Sequence, residues 1–93
     1  MLILEDGSQV NKVPVNYTGW FIDEYGDKNW YQDGKQHRLD GPAWEEYEGS
    51  KAWYHDDKLH RLDGPAIEWA DGTKNWRIND RTISKQTRII CIL

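Results

Sequence analysis

The chain has 93 residues, with 12 Lys and Arg against 16 Asp and Glu and a net charge of −4. That acidic balance excludes tracking of a long nucleic-acid backbone, which needs a surplus of Lys and Arg to displace counterions. Only 38% of the residues are hydrophobic and Cys91 is the single cysteine, so no disulfide framework forms, and one small core built on six Trp and five Tyr must hold a single domain together.

Residues 1–20 read as a lead-in. Leu2-Ile3-Leu4 is an apolar run, Asp6-Gly7 is a turn signal, and Pro14 turns a Val-rich piece into an edge strand or a bend, because proline donates nothing to a ladder. The opening MLIL is too short for a membrane span and lacks the basic flank of a signal peptide. These features predict a cytoplasmic protein with no membrane partner.

From Phe21 to Ser84 the chain repeats itself. WYQDGKQHRLDGPA, starting at Trp30, returns 23 residues later as WYHDDKLHRLDGPA, starting at Trp53. A third copy starts at Trp76 as WRINDRTIS and stops short of the second half, as a terminal capping repeat does. The linking segments keep the period: Gly26, Lys28 and Trp30 match Gly49, Lys51, Trp53 and Gly72, Lys74, Trp76. The domain therefore divides into the lead-in, three to four hairpin repeats over 21–84, and a terminal apolar strand over 85–93.

Within the repeats, short runs of Trp, Tyr and Ile alternate with Asp33-Gly34, Glu48-Gly49, Asp56-Asp57, Asp71-Gly72 and Asn79-Asp80. Each dipeptide suits a two-residue hairpin loop, where positive φ is cheapest for Gly, Asn and Asp. The expected fold is all-β, an antiparallel meander of about eight to ten strands, each about five residues long. Two-residue loops place Trp30 opposite His37, Trp53 opposite His60, Trp44 opposite Trp53, and both Ile67 and Ile83 opposite Trp76. The predicted core thus comprises Trp30, His37, Trp44, Trp53, His60 and Trp76, in a row that also takes Phe21. Tyr31, Tyr54, Arg77, Arg38, Arg61, Glu45 and Glu68 fall on the other face.

The pattern W-Y-x-x-G-x-x-H-R-x-D-G-P-A resembles a tandem repeat of small proteins of bacteriophages and giant viruses. His37, Arg38, Asp40, Gly41, Pro42 and Ala43 match it, as do His60, Arg61, Asp63, Gly64, Pro65 and Ala66. The 23-residue length and the placement of Gly and His also look like MORN repeats, which are β-hairpin arrays. Arg38 and Arg61 stand where MORN repeats usually carry Gly, so the lipid and scaffold roles of MORN proteins do not carry over. What the resemblance implies is a viral setting, in which small acidic proteins counter host defence by binding a defence protein or sequestering its signalling nucleotide.

Asp40-Gly41-Pro42 and Asp63-Gly64-Pro65 read first as turns, with Gly supplying an unusual φ. Arg38 and Arg61 suit ion pairs with nearby carboxylates, and equally a guanidinium fork for a phosphate, with Tyr31, Tyr54 and Trp69 as stacking planes and Arg77 as a third cation. His37 and His60 read as structural partners of Trp, lacking a nucleophile and a third orienting group. The cluster His55-Asp56-Asp57 with His60 occurs in one copy only and reads as a polar hairpin tip, so no metal and no cofactor is expected. Cys91 in the apolar IICIL reads as a buried small hydrophobe, and the apolar end favours a homo-oligomer.

These readings predict a non-enzymatic binding protein with one of two functions. It captures a small nucleotide signal on Tyr31, Arg38, Tyr54, Arg61, Trp69 and Arg77, or it blocks a host defence protein directly.

Overall fold

The computed structural model describes residues 1–82. Among them are β1 (Leu2–Leu4), β2 (Gln9–Val10), β3 (Gly19–Ile22), β4 (Lys28–Gln32), β5 (Lys35–Gln36), β6 (Trp44–Glu45), β7 (Lys51–Ala52), β8 (Tyr54–His55), β9 (Lys58–Leu59), β10 (Ile67–Glu68), β11 (Lys74–Asn75), β12 (Arg77–Ile78) and β13 (Arg81–Thr82). All pairings are antiparallel. One nine-stranded sheet runs in the order β11-β10-β7-β6-β4-β3-β1-β2 with β5 on β4, and β8-β9 and β12-β13 are separate hairpins. The fold is all-β as expected, and no helix long and apolar enough to cross a membrane occurs among the described residues. Pro14 lies outside the strands, its carbonyl accepting the Tyr17 N–H. Ile83, the expected terminal strand over 85–93, and Cys91 lie outside the described residues.

Strands are shorter than expected, mostly of two residues, because two kinds of turn alternate along the chain. At the hairpin tips, Asp33 (φ 50°) and Gly34 (φ 80°), Asp56 (50°) and Asp57 (68°), and Asn79 (48°) and Asp80 (69°) form two-residue loops with both φ values positive, the turn whose twist matches a hairpin. At the opposite edge the expected two-residue loops at Glu48-Gly49 and Asp71-Gly72 do not form. There the amides of Asp23, Glu46 and Trp69 donate to the carbonyls of Asp27, Ser50 and Thr73, and Gly26, Gly49 and Gly72 donate back to Asp23, Glu46 and Trp69. These are three-residue loops with a glycine bulge, Gly49 at φ 114°.

One extra residue in each of these turns slips the register by one. Trp44 therefore faces Ala52, not Trp53; Ile67 faces Asn75, not Trp76; and Phe21 faces Asn29, not Trp30. A one-residue slip moves every side chain to the other face. The continuous row across the sheet is Leu4, Phe21, Asn29, Trp44, Ala52, Ile67 and Asn75. Its members Leu4, Phe21, Asn29 and Ala52 are buried, together with Ala43 and Ala66. The expected core residues Trp30, His37, Trp44, Trp53, His60 and Trp76 are all only half-buried. Tyr31, placed by the expected register on the outer face, instead packs edge-on against Phe21 at 5.1 Å.

Asn29 is tolerable in the buried row because its polar atoms are used: Nδ2 donates to Asp23 Oδ2 at 3.2 Å and Oδ1 accepts from Gln36 Nε2 at 3.1 Å. Ala43 and Ala66 show no exposed surface because each joins two neighbouring hairpins. Ala43 donates to Ala52 and accepts from Trp30, and Ala66 donates to Asn75 and accepts from Trp53. There is no space for a larger side chain at that joint.

Candidate functional site

The segment after each tip hairpin leaves the strand and folds back on its own tryptophan. Arg38 Cζ lies 3.9 Å from the centre of the Trp30 ring, and Arg61 Cζ lies 3.8 Å from that of Trp53, a cation–π contact of about 0.5–2 kcal/mol. Arg38 and Arg61 are thus not on the face away from the tryptophans, as strand alternation predicted; the chain beyond His37 and His60 is no longer a strand. Arg38 Nε donates to Asp40 at 3.0 Å, and its Nη1 donates to the Pro42 carbonyl at 3.1 Å and to Glu45 at 3.4 Å. Arg61 repeats the set with Asp63 at 3.0 Å, the Pro65 carbonyl at 3.1 Å and Glu68 at 3.2 Å. The expected ion pairs are present.

Glycine in these turns has a different reason from the one expected. Gly41 and Gly64 are not among the positive-φ residues. A Cβ on Gly41 would stand 3.0 Å from Arg38 Cζ, and one on Gly64 only 2.7 Å from Arg61 Cζ. Glycine leaves room for a guanidinium lodged between the turn and the indole.

Successive tip hairpins are stapled by one pattern. Asp57 donates its N–H to the Gln36 carbonyl and accepts the Gln36 N–H on Oδ1 at 2.7 Å. Asp80 does the same to Leu59, with Oδ1 accepting at 2.7 Å. His37 Nδ1 accepts the Asp56 N–H at 3.1 Å, and His60 Nδ1 accepts the Asn79 N–H at 3.2 Å. Both histidines are therefore hydrogen-bond acceptors between hairpins, and their backbones pair with Trp30 and Trp53 as the tip loops predicted. Burial, with His55 adding, holds the His60 imidazole below its ordinary pKa, which keeps the acceptor lone pair available.

Between the two Asp-Gly-Pro turns lies a groove of about 650 Å³. Its walls are Arg38, Asp40, Arg61 and Asp63, with Trp53, Tyr54, His55 and His60 between them and Leu39 and Leu62 at the turns. Of the six predicted ligand residues, Arg38, Tyr54 and Arg61 meet here. Tyr54 also borders a second hollow of about 330 Å³ with Trp69, Trp44 and Ile67, where Trp44 and Trp69 meet edge-on at 6.5 Å. Tyr31 lines neither, and Arg77 is held by Asn75 Oδ1 at 2.8 Å and the Asp80 carbonyl at 3.2 Å. Trp20 is half-buried, with Lys28 Nζ 4.4 Å from its ring centre, and Trp69 is exposed. Burial pushes the Tyr54 phenol above its ordinary pKa, with Asp80 adding, so at neutral pH it is a hydroxyl that both donates and accepts.

Sequence reasoning did not bring His55, Leu39 and Leu62 to this groove. The leucines were signalled by recurring between Arg and Asp in both copies of HRLDGPA. His55 had no such signal, since the preceding copy carries Gln32 and the following one Ile78. The groove offers two indole-backed guanidinium groups, a phenol, two imidazoles and apolar rims, a set suited to holding a small polar ligand with a planar part. No protein-family model matches the chain, and neither the curated proteins nor the solved structures contain a match.

Proposed function

We propose that this is a non-enzymatic binding protein built from tandem 23-residue, MORN-like β-hairpin repeats, in which the groove between Arg38 and Arg61 captures a small nucleotide-derived signal. The viral resemblance gives this its setting: counter-defence in the host cytoplasm, by a homo-oligomer. The observation that carries the reading is the groove itself, about 650 Å³ with Arg38, Tyr54, His55, His60 and Arg61 converging on it. A ligand phosphate shares the Arg61 fork with Asp63 and Glu68, while the base stacks on Tyr54 or on an exposed indole.

The test is thermal melting and Trp fluorescence of the full chain against a panel of cyclic and linear nucleotides. One compound is expected to raise the melting temperature by binding the native state. Arg61→Lys, which keeps the charge and loses the planar fork, weakens that compound about tenfold or more. Because Arg61 also holds the turn, folding of the variant is checked by its own melting curve. A panel without any shift overturns capture of the compounds tested.

A second reading, direct blocking of a host defence protein, is favoured by a separate observation. At the bulged-turn edge Tyr25 and Tyr47 are 77% and 82% exposed, beside Glu24, Glu46 and Glu48. Exposed aromatics among acids suit a basic protein surface.

A further inference from the structure

The three histidines of the chain come from two different hairpins and form one ladder. The His37 and His55 ring centres are 4.6 Å apart, and those of His55 and His60 are 5.7 Å apart. Asp56 reaches into the upper step: its Oδ1 lies 3.4 Å from His37 Nδ1 and its Oδ2 lies 3.6 Å from His55 Nδ1. The ligand atoms of His37, His55 and Asp56 all fall within 4.8 Å of one another. We propose that His37, His55 and Asp56 form a binding site for a divalent first-row transition metal of the zinc type, a site that shares only His55 with the ligand groove.

Geometry and donor chemistry both support the assignment. A tetrahedral metal with bonds of about 2.1 Å sets its donors about 3.4 Å apart, and each imidazole lies near that distance from one oxygen of the shared carboxylate, His37 from Oδ1 at 3.4 Å and His55 from Oδ2 at 3.6 Å. Two imidazoles and one carboxylate are borderline donors that take zinc, cobalt or nickel in preference to calcium or magnesium. His55 and Asp56 are 48% and 58% exposed at the side chain, so an ion has a way in, and a fourth position is open to water. The neighbouring cations do not oppose it, because Arg38 is matched by Asp40 and Glu45, and Arg61 by Asp63 and Glu68.

The repeat separates this role from a purely structural one. His37 and His60 each accept an amide from the next hairpin, and that explains their presence. It does not explain His55, which replaces the Gln32 and Ile78 of the other copies. An ion on His37 Nδ1 competes with the Asp56 amide for the same lone pair, so loading frees that N–H. Metal binding therefore carries its own signature at a named backbone atom.

The test titrates the full chain with zinc chloride by calorimetry and thermal melting, with cobalt(II) as the spectroscopic probe. A Cys91→Ser background removes the thiol from competition. Binding of one equivalent, a raised melting temperature and faster hydrogen exchange at the Asp56 amide are expected. His55→Gln and Asp56→Asn install residues that Gln32 and Asn79 already hold at the same hairpin positions, so both variants fold. Loss of His55 is expected to weaken zinc about 100-fold, and loss of the Asp56 carboxylate by at least about 10-fold. The proposal is overturned if the Cys91→Ser chain binds no zinc, or if both hairpin variants bind it as the parent does.

Discussion

His60 shows what a single side chain contributes to the joint between hairpins. Its Nδ1 accepts the Asn79 N–H at 3.2 Å, and a proton placed on that nitrogen turns the acceptor into a second donor facing the first. Burial and His55 lower its native pKa from 6.5, so the unfolded state binds the proton more readily. The stabilisation is therefore complete above about pH 6.5 and is lost as pH falls through that value towards the lowered native pKa. Melting curves across that range are expected to show falling stability on the acid side, and His60→Gln flattens the difference. An equal acid loss in the variant would assign the effect to another group. At the same scale, Gly64 answers to Arg61: a Cβ 2.7 Å from its Cζ forces the guanidinium off Trp53.

At the scale of elements, strands of two residues provide too few ladder bonds to hold a hairpin alone. The tip hairpins are held by their neighbours. Asp57 joins β8-β9 to Gln36 of the preceding hairpin through its amide and its carboxylate, the latter at 2.7 Å. Asp57→Ala removes the charged acceptor and is expected to cost about 1–2 kcal/mol in urea unfolding, low in the range for bonds to charged groups because the site is exposed. Asp57→Asn, which keeps an oxygen at that place, recovers most of it. Equal stability of the Ala variant and the parent would show that the backbone bond alone holds the hairpins together.

Across the whole molecule, apolar burial is concentrated at few places. The buried apolar members among the described residues are Leu4, Phe21, Ala43, Ala52 and Ala66. Phe21 is the only large aromatic ring among them and is 5% exposed. Phe21→Ala is expected to cost about 3–5 kcal/mol, a large share of the total stability of a small domain. Tyr47→Ala, at a residue 82% exposed, stays within about 0.5 kcal/mol of the parent. Chemical denaturation of the two variants separates them, and similar losses in both would place the core elsewhere.

Local turn chemistry and short-range charge pairing dictate the all-β class, the antiparallel hairpins, the three tip turns and the Arg38 and Arg61 ion pairs, so all of these were legible in the residues alone. In the structure Arg38 and Arg61 make equivalent bonds, as do Asp57 and Asp80. Which face is inside was settled by the register of the packed sheet. That choice hangs on one bulge residue per turn, and Gly at the end of a loop is compatible with either a two-residue or a three-residue turn. Tertiary packing likewise lodged each arginine against an indole, opened the groove between two turns, and set His37 beside His55 and Asp56. Those residues are 18 and 19 positions apart in the chain, and hairpin stacking brings them together where no local pattern pairs them.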